Sequence, residues 1–227
     1  MDFISVMECI GTIAFAVSGA VVAIEKKLDY YGICFLAVIT AIGGGIMRDI
    51  LLDEFYPASL NNPVPALISL GTAVIVILFY DKIVKLEHLV SIADGLGLAA
   101  FTAIGARVAV VSGHHNLYSV VIMGMLTGTF GGVLRDITVK EIPRCFRREV
   151  YAVASLIGAV AFEITYDFFG YAEAMYICFG VTLAVRMVSL KMNWHLGTVK
   201  PRGEDEALNG EGQPKKSKKK GRKLFPF

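Results

Sequence analysis

Apolar residues along the chain fall in seven long runs, and that pattern predicts a bundle of membrane-spanning helices. The runs cover Phe3–Ile24, Tyr31–Leu52, Val64–Tyr80, Leu89–Val111, Leu117–Val139, Val150–Phe168 and Ala172–Lys191. A stretch of about 20 predominantly apolar residues is what a helix needs to cross the hydrocarbon layer. Short polar turns separate them: EKKLD, DEFYPASLNNP, DKIVKLEH, SGHHN, KEIPRCFRRE and DFFGYAE. After Trp194 the pattern stops. From Pro201 the chain is rich in Gly, Glu and Lys and ends in KKSKKKGRKLFPF. Such a segment has too little apolar surface to fold alone. The expected organisation is a membrane domain over residues 1–195 and a disordered basic cytoplasmic tail over 196–227.

Composition agrees with this reading, and the placement of charge adds orientation. Hydrophobic residues make up 55% and charged residues 19% of the chain, with a mean hydropathy of +0.61. The net charge of +2 is uninformative, but its distribution is not. Lys26, Lys27, Lys82, Lys85, Lys140, Arg144, Arg147, Arg148 and the tail collect on one side of an alternating topology. Lys and Arg mark cytoplasmic loops, so the N-terminus is expected outside and the C-terminus inside. The N-terminal segment lacks a basic n-region and is read as the first span rather than a cleaved signal. Cys9, Cys34, Cys145 and Cys178 are scattered, without CxxC spacing, and read as reduced thiols. No metal, cofactor or nucleic-acid partner is expected.

The strongest signal is internal repetition. TAIGGGIMRD at Thr40–Asp49 recurs as TGTFGGVLRD at Thr127–Asp136. Thr40, Gly44, Gly45, Arg48 and Asp49 therefore match Thr127, Gly131, Gly132, Arg135 and Asp136 at one constant spacing. Glu54 and Gly71 match Glu141 and Gly158 at the same spacing. One residue out of step, Glu8, Gly11, Ala14, Phe15, Gly19 and Ala20 match Asp94, Gly97, Ala100, Phe101, Gly105 and Ala106. The repeats span 3–80 and 89–168, and the span over 172–191 is left unpaired. Three spans per repeat is an odd number, so the halves should enter the membrane in opposite directions, as in many transporters.

The repeated motif also carries candidate chemistry. Each glycine costs a helix about 1 kcal/mol relative to alanine. Glycine in a membrane helix allows either close packing or a break whose freed polar groups line a wet path. Gly124, Gly128 and Gly132 form a ladder suited to packing alone. The run Gly43–Gly45 and its partners Gly131–Gly132 are each followed by Arg-Asp, which favours a path. Arg48 and Arg135 lie near helix ends, where snorkelling is the competing explanation. Their neighbours Asp49 and Asp136 are expected to be poor partners, since adjacent positions do not face each other on a helix. The expected ion pairs are instead Glu8–Arg48 outside and Asp94–Arg135 inside.

Other polar residues say less. Glu163 and Arg186 lack repeat counterparts and are assigned to packing, an oligomer contact or snorkelling. His114 and His115 are read as solvated. Lys140, Arg144, Arg147 and Arg148 form a cytoplasmic collar that is chiefly the orientation signal, with anionic lipid contact as the lesser reading.

Two inverted three-helix halves, GGGIMRD paired with FGGVLRD, and a seventh helix resemble the trimeric intracellular cation channel (TRIC) family, specifically its prokaryotic members. The resemblance spans residues 3–195. It implies a homotrimer with one pore per protomer, in the plasma membrane (the prokaryotic inner membrane). The pore would run between the second and fifth spans, kinked at Gly43–Gly45 and Gly131–Gly132, and pass monovalent cations such as potassium or sodium, potassium above all. Phe130 stands where the first motif has Gly43, a departure by which the two kinks would differ and the bulkier one would narrow the pore.

In such a channel, helix breaks would offer carbonyls in place of an ion's hydration shell, with the Thr40 and Thr127 hydroxyls one turn earlier. Bare arginines would repel cations, so their pairing would gate the path. The alternative is a secondary transporter of a small zwitterion such as glycine, whose carboxylate would bind half-helix amino ends. A membrane scaffold leaves the paired motifs unexplained. An enzyme is not expected, since no nucleophile–base set or metal-ligand spacing is present.

Overall fold

In the computed structural model the described residues are 3–53, 56–83, 88–146, 150–192 and Trp194. The expected tail over 196–227, together with Glu54, Lys85, Arg147 and Arg148, lies outside them. Every described element is helical: α1 (Phe3–Glu25), α2 (Tyr30–Leu51), α3 (Ala58–Asn61), α4 (Val64–Ile83), α5 (Leu89–Val111), α6 (Leu117–Thr138), α7 (Ala152–Phe169) and α8 (Tyr171–Lys191). Seven of them are long and apolar enough to cross a membrane, all but the four-residue α3. The protein is a multi-pass membrane protein, and the predicted spans match the observed helices to within a few residues. Two short elements were not predicted: α3 lies in the polar stretch that follows α2, and a single 3-10 turn, Arg144–Phe146, in the one that follows α6.

The repeat shows in local structure as well as in letters. Asp29 caps α2 by accepting from Gly32 N–H at 2.7 Å, and the matching Asn116 caps α6 by accepting from Ser119 N–H at 2.9 Å. A short polar side chain at this position satisfies an amide that the helix leaves open. α1 ends with Leu28 N–H donating to Ala23 C=O, and α5 with His114 N–H donating to Ala109 C=O. In each such turn one residue takes a left-handed conformation, Lys27 at φ 59° and Gly113 at φ 83°. After α2 and α6 the same role falls to Asp53 and Lys140, at φ 56° and 60°.

α1 and α5 form the centre: they are the most buried spans, at 67% and 72%, against 28% for α4 and α7. Their buried faces are mostly alanine and glycine, including Ala16, Ala20, Ala23, Ala99, Ala103 and Ala106. Lipid tails give apolar side chains no reason to leave them, so close backbone approach through small residues drives such packing. α8 lies against α5 and α7, to which it is joined through Gly170 alone at φ 85° and ψ 179°. That backbone conformation is readily available only to glycine. Lys26, Lys27, Lys82, Lys140 and Arg144 lie at one end of the bundle, termed here the basic side.

Candidate functional site

The two glycine motifs meet where α2 crosses α6, and they do so reciprocally. A Cβ on Gly44 would run into the backbone carbonyl of Thr127, and a Cβ on Gly131 would run into that of Thr40. Thr127 is the repeat partner of Thr40, and Gly131 that of Gly44. Moving up α2 from 40 to 44 moves down α6 from 131 to 127, so the helices are antiparallel and exchange identical contacts. Exchange of equivalent residues is the mark of a two-fold relation. The two helices that carry the motif thus run in opposite directions, as inverted halves would require.

This geometry corrects the expected glycine breaks. α2 and α6 run as continuous α-helices through Gly43–Gly45 and Gly131–Gly132. The glycines serve close approach, and no carbonyl is freed. The threonine hydroxyls are also spent inside their own helices. Thr40 Oγ1 donates to Leu36 C=O at 2.5 Å and Thr127 Oγ1 to Met123 C=O at 2.6 Å. Both threonines are fully buried, each against a glycine of the neighbouring first helix, Gly19 and Gly105. Gly43 packs against Leu134, and Phe130 is half-buried.

The arginines sit one turn beyond the crossing, at opposite ends. Arg135 is 1% exposed and donates to Asp94 at 2.5 Å, to Asp136 at 2.8 Å and to the Ser18 hydroxyl. Ser18 in turn donates to Asp94 at 2.5 Å. The structure therefore brings the Asp94–Arg135 pair together, deep inside the protein. Burying a lone guanidinium is costly, and two carboxylates offset that cost here. Arg144 approaches the other Asp94 oxygen at 3.5 Å.

At the opposite end the expected Glu8–Arg48 ion pair is not formed. Arg48 lies with its Nε 2.8 Å from Asp49, exactly as Arg135 does with Asp136, and Glu8 is exposed. The rule that adjacent helix positions do not face each other fails here for a geometric reason. Both pairs occupy the last turn, where the departing chain leaves the long arginine stem room to fold back. Each aspartate is also held by the loop that follows. Asp49 accepts from Ala58 N–H at 2.8 Å and Asp136 from Arg144 N–H at 2.9 Å. Glu8 and Arg48 nevertheless share a cavity of about 30 Å³, lined also by Thr12, Gly45, Phe101 and Ile104. That volume is enough for a water molecule.

Between the cavity and the buried Arg135 cluster stand Phe15 and Phe101. They are repeat partners, both buried, stacked with centroids 5.4 Å apart and ring planes at 21°. Each ring packs on a glycine of the other's helix, Phe15 on Gly97 and Phe101 on Gly11. Sequence reasoning registered the match of Phe15 with Phe101 but gave it no role. The signal was their shared place in the repeat beside paired glycines.

Two further readings gain detail: His115 is exposed, as expected, and Arg186 takes the packing role among those left open to it. His115 lies 3.5 Å from Glu163 and 3.6 Å from Asp167, with its ring edge-on to Tyr166, so it joins the α5–α6 turn to α7. Arg186 is 1% exposed, and its guanidinium lies 5.0 Å over the Tyr151 ring, which is no snorkelling position. Lys140 is exposed and Arg144 half-buried, consistent with a collar of charge on the basic side. Burial, with the Asp136 carboxylate beside it, pushes the half-buried Cys145 thiol up to about 11. No cluster of metal-ligating side chains occurs among the described residues.

Comparison with known proteins brings this geometry into focus. The family model described as glycine transporter matches twice, over residues 5–81 and 91–167, one copy per repeat. The UPF0126 inner membrane protein YadS of Escherichia coli (strain K12) is 32% identical over 193 residues, covering 84% of this chain and 92% of that protein. The UPF0126 membrane protein YvgT of Bacillus subtilis (strain 168) is 35% identical over 191 residues, covering 84% and 93%. Among solved structures, a TRIC cation channel studied for its conductance superposes with a TM-score of 0.82 at 32% identity. It covers 89% of this chain and 99% of its own. The TRIC trimeric intracellular cation channel orthologue from Rhodobacter sphaeroides gives a TM-score of 0.80 at 31% identity, covering 85% and 100%.

Proposed function

We propose, from the premise that this chain belongs to the family described as glycine transporter and has the fold of the TRIC channels, that it is a monovalent cation channel. The observation that carries this reading is the reciprocal crossing of α2 and α6, with a charged site beyond it at each end. The path runs from the cavity at Glu8 and Arg48, past Phe15 and Phe101, to Asp94 and Arg135. Potassium is the permeant ion in mind, and the assembly is a homotrimer with one path per protomer. The N-terminus lies outside and the basic side faces the cytoplasm of a prokaryotic cell.

Electrostatics support cations over anions. Arg135 is matched by two carboxylates, Asp94 and Asp136. Arg48 is matched by Asp49, and Glu8 adds a second carboxylate at the same cavity. The Arg48 site is thus outweighed by acid, and Arg135 with Arg144 is balanced by two carboxylates, where bare guanidinium groups would repel a cation. The stacked phenylalanines and the contact of α2 with α6 make the conformation a closed one. An apolar constriction resists ions because water leaves it. Opening requires the rings to part.

Neutralising the arginines tests the path. Arg48→Gln and Arg135→Gln, recorded in planar bilayers, should each change conductance or open probability severalfold. Unaltered currents in both would remove these residues from the path. The description of the matching family favours a second reading, a carrier for glycine. The unbroken α2 and α6 weaken it, since they offer no half-helix amino ends in mid-membrane to hold a carboxylate.

A further inference from the structure

The two halves differ at one place that their shared pattern does not predict. Beside Gly45 there is a cavity, and the atom nearest to where a Cβ would lie is Ser59 Oγ at 3.5 Å. Beside the matching Gly132 the nearest atom belongs to a large ring instead. There the Tyr151 hydroxyl stands 3.4 Å from a Cβ's position, and Tyr151 is 3% exposed. In the repeat, Tyr151 corresponds to Val64, which is 51% exposed and lines no part of the cavity. The first half therefore sets the small Ser59 hydroxyl where the second half sets this ring.

Tyr151 is backed by α8, which lacks a counterpart. The Arg186 guanidinium lies 5.0 Å over its ring. α8 is seated closely at this point, since a Cβ on Gly95, next to Asp94, would meet Met187 at 2.6 Å and Arg186 at 3.1 Å. Stacking of a guanidinium on an aromatic face is attractive, and more so away from water. The Tyr151 hydroxyl, by contrast, is buried without a hydrogen-bond partner among the described residues. A buried hydroxyl left unpaired is unfavourable. Packing and the arginine hold the ring in place, so it can leave without breaking a hydrogen bond and gains solvation when it does.

We infer that Tyr151, held by Arg186, is a gate on the basic side, and that its withdrawal opens a vestibule at Gly132 equivalent to the cavity at Gly45. Its consequence for ions rests on the channel reading proposed above. With the gate shut, a cation meets the ring and, on its face, the Arg186 guanidinium. α8 thereby acquires a task beyond closing the bundle, because it carries the latch.

Cysteine accessibility tests the gate independently of ion flow. In a parent with Cys9, Cys34, Cys145 and Cys178 replaced by serine, Gly132→Cys is exposed to a charged, membrane-impermeant thiol reagent from the basic side. Labelling should be slow with Tyr151 and Arg186 in place, and about tenfold or more faster in Tyr151→Ala and in Arg186→Gln. Tyr151→Phe, which keeps the ring, should label as slowly as the parent. Gly45→Cys, labelled from the opposite side, reports the fold in each background. Fast labelling of Gly132→Cys in the parent would overturn the gate. So would slow labelling in Arg186→Gln and Tyr151→Ala while Gly45→Cys still reacts. Should Tyr151→Ala lose the Gly45→Cys signal, Arg186→Gln decides alone. If labelling accelerates as stated but bilayers containing these proteins pass no current, the gate stands and the channel reading fails.

Discussion

Gly71 and Gly158 occupy the same place in the two repeats, yet they have different surroundings. A Cβ on Gly158 would strike the Thr182 hydroxyl and approach the Cys178 carbonyl at 3.1 Å, whereas nothing lies within 4 Å of one on Gly71. The difference is α8, which covers the second half only. Gly158→Ala should therefore cost about 1–3 kcal/mol, the usual range for overpacking. Gly71→Ala should be neutral or slightly stabilising, since alanine is the better helix former. Unfolding temperatures of the two variants in detergent check this. At Cys145 the thiol pushed up to about 11 stays protonated at neutral pH. Since the thiolate is the reactive form, its alkylation should be slow at pH 7 and rise steadily toward pH 11. A rate as high at pH 7 as at pH 9 would contradict that environment.

At the scale of helices, the α2–α6 crossing and the charged cluster beside it make separate predictions. Gly44→Ala and Gly131→Ala each push a methyl group into a threonine carbonyl of the facing helix. Backbone moves less readily than a side chain, so both should lower the unfolding temperature by similar amounts. A large difference between them would break the two-fold relation. In the cluster, Asp94→Asn leaves Arg135 buried with Asp136 alone. Removing one partner of a buried pair costs about 3–5 kcal/mol, while removing both together costs far less. The double variant Asp94→Asn/Arg135→Gln should thus be more stable than Asp94→Asn, and a double-mutant cycle by thermal unfolding measures the coupling.

Across the whole molecule, the seven spans and the two repeats were legible because bilayer thickness and self-similarity at a constant spacing leave few alternatives. Asp94–Arg135 was legible from symmetry, as the inner pair of two. Its counterpart Glu8–Arg48 was not, because the choice of partner depends on how the last turn of α2 folds back onto Asp49. The glycines marked the right place for the wrong reason. A glycine run is compatible with both a broken helix and a close crossing, and only the facing Thr40 and Thr127 carbonyls decide between them. Phe15 with Phe101 and Tyr151 with Arg186 lay beyond reach, since aromatic residues in an apolar run carry no sign of what they stack upon.

The most direct test of the channel assignment is the current through purified protein in planar bilayers under opposed potassium, sodium and chloride gradients. The account predicts unitary current steps in the absence of any organic substrate, with a reversal potential that follows the cations. Absence of steps, together with saturable glycine uptake coupled to an ion gradient in proteoliposomes, would contradict it.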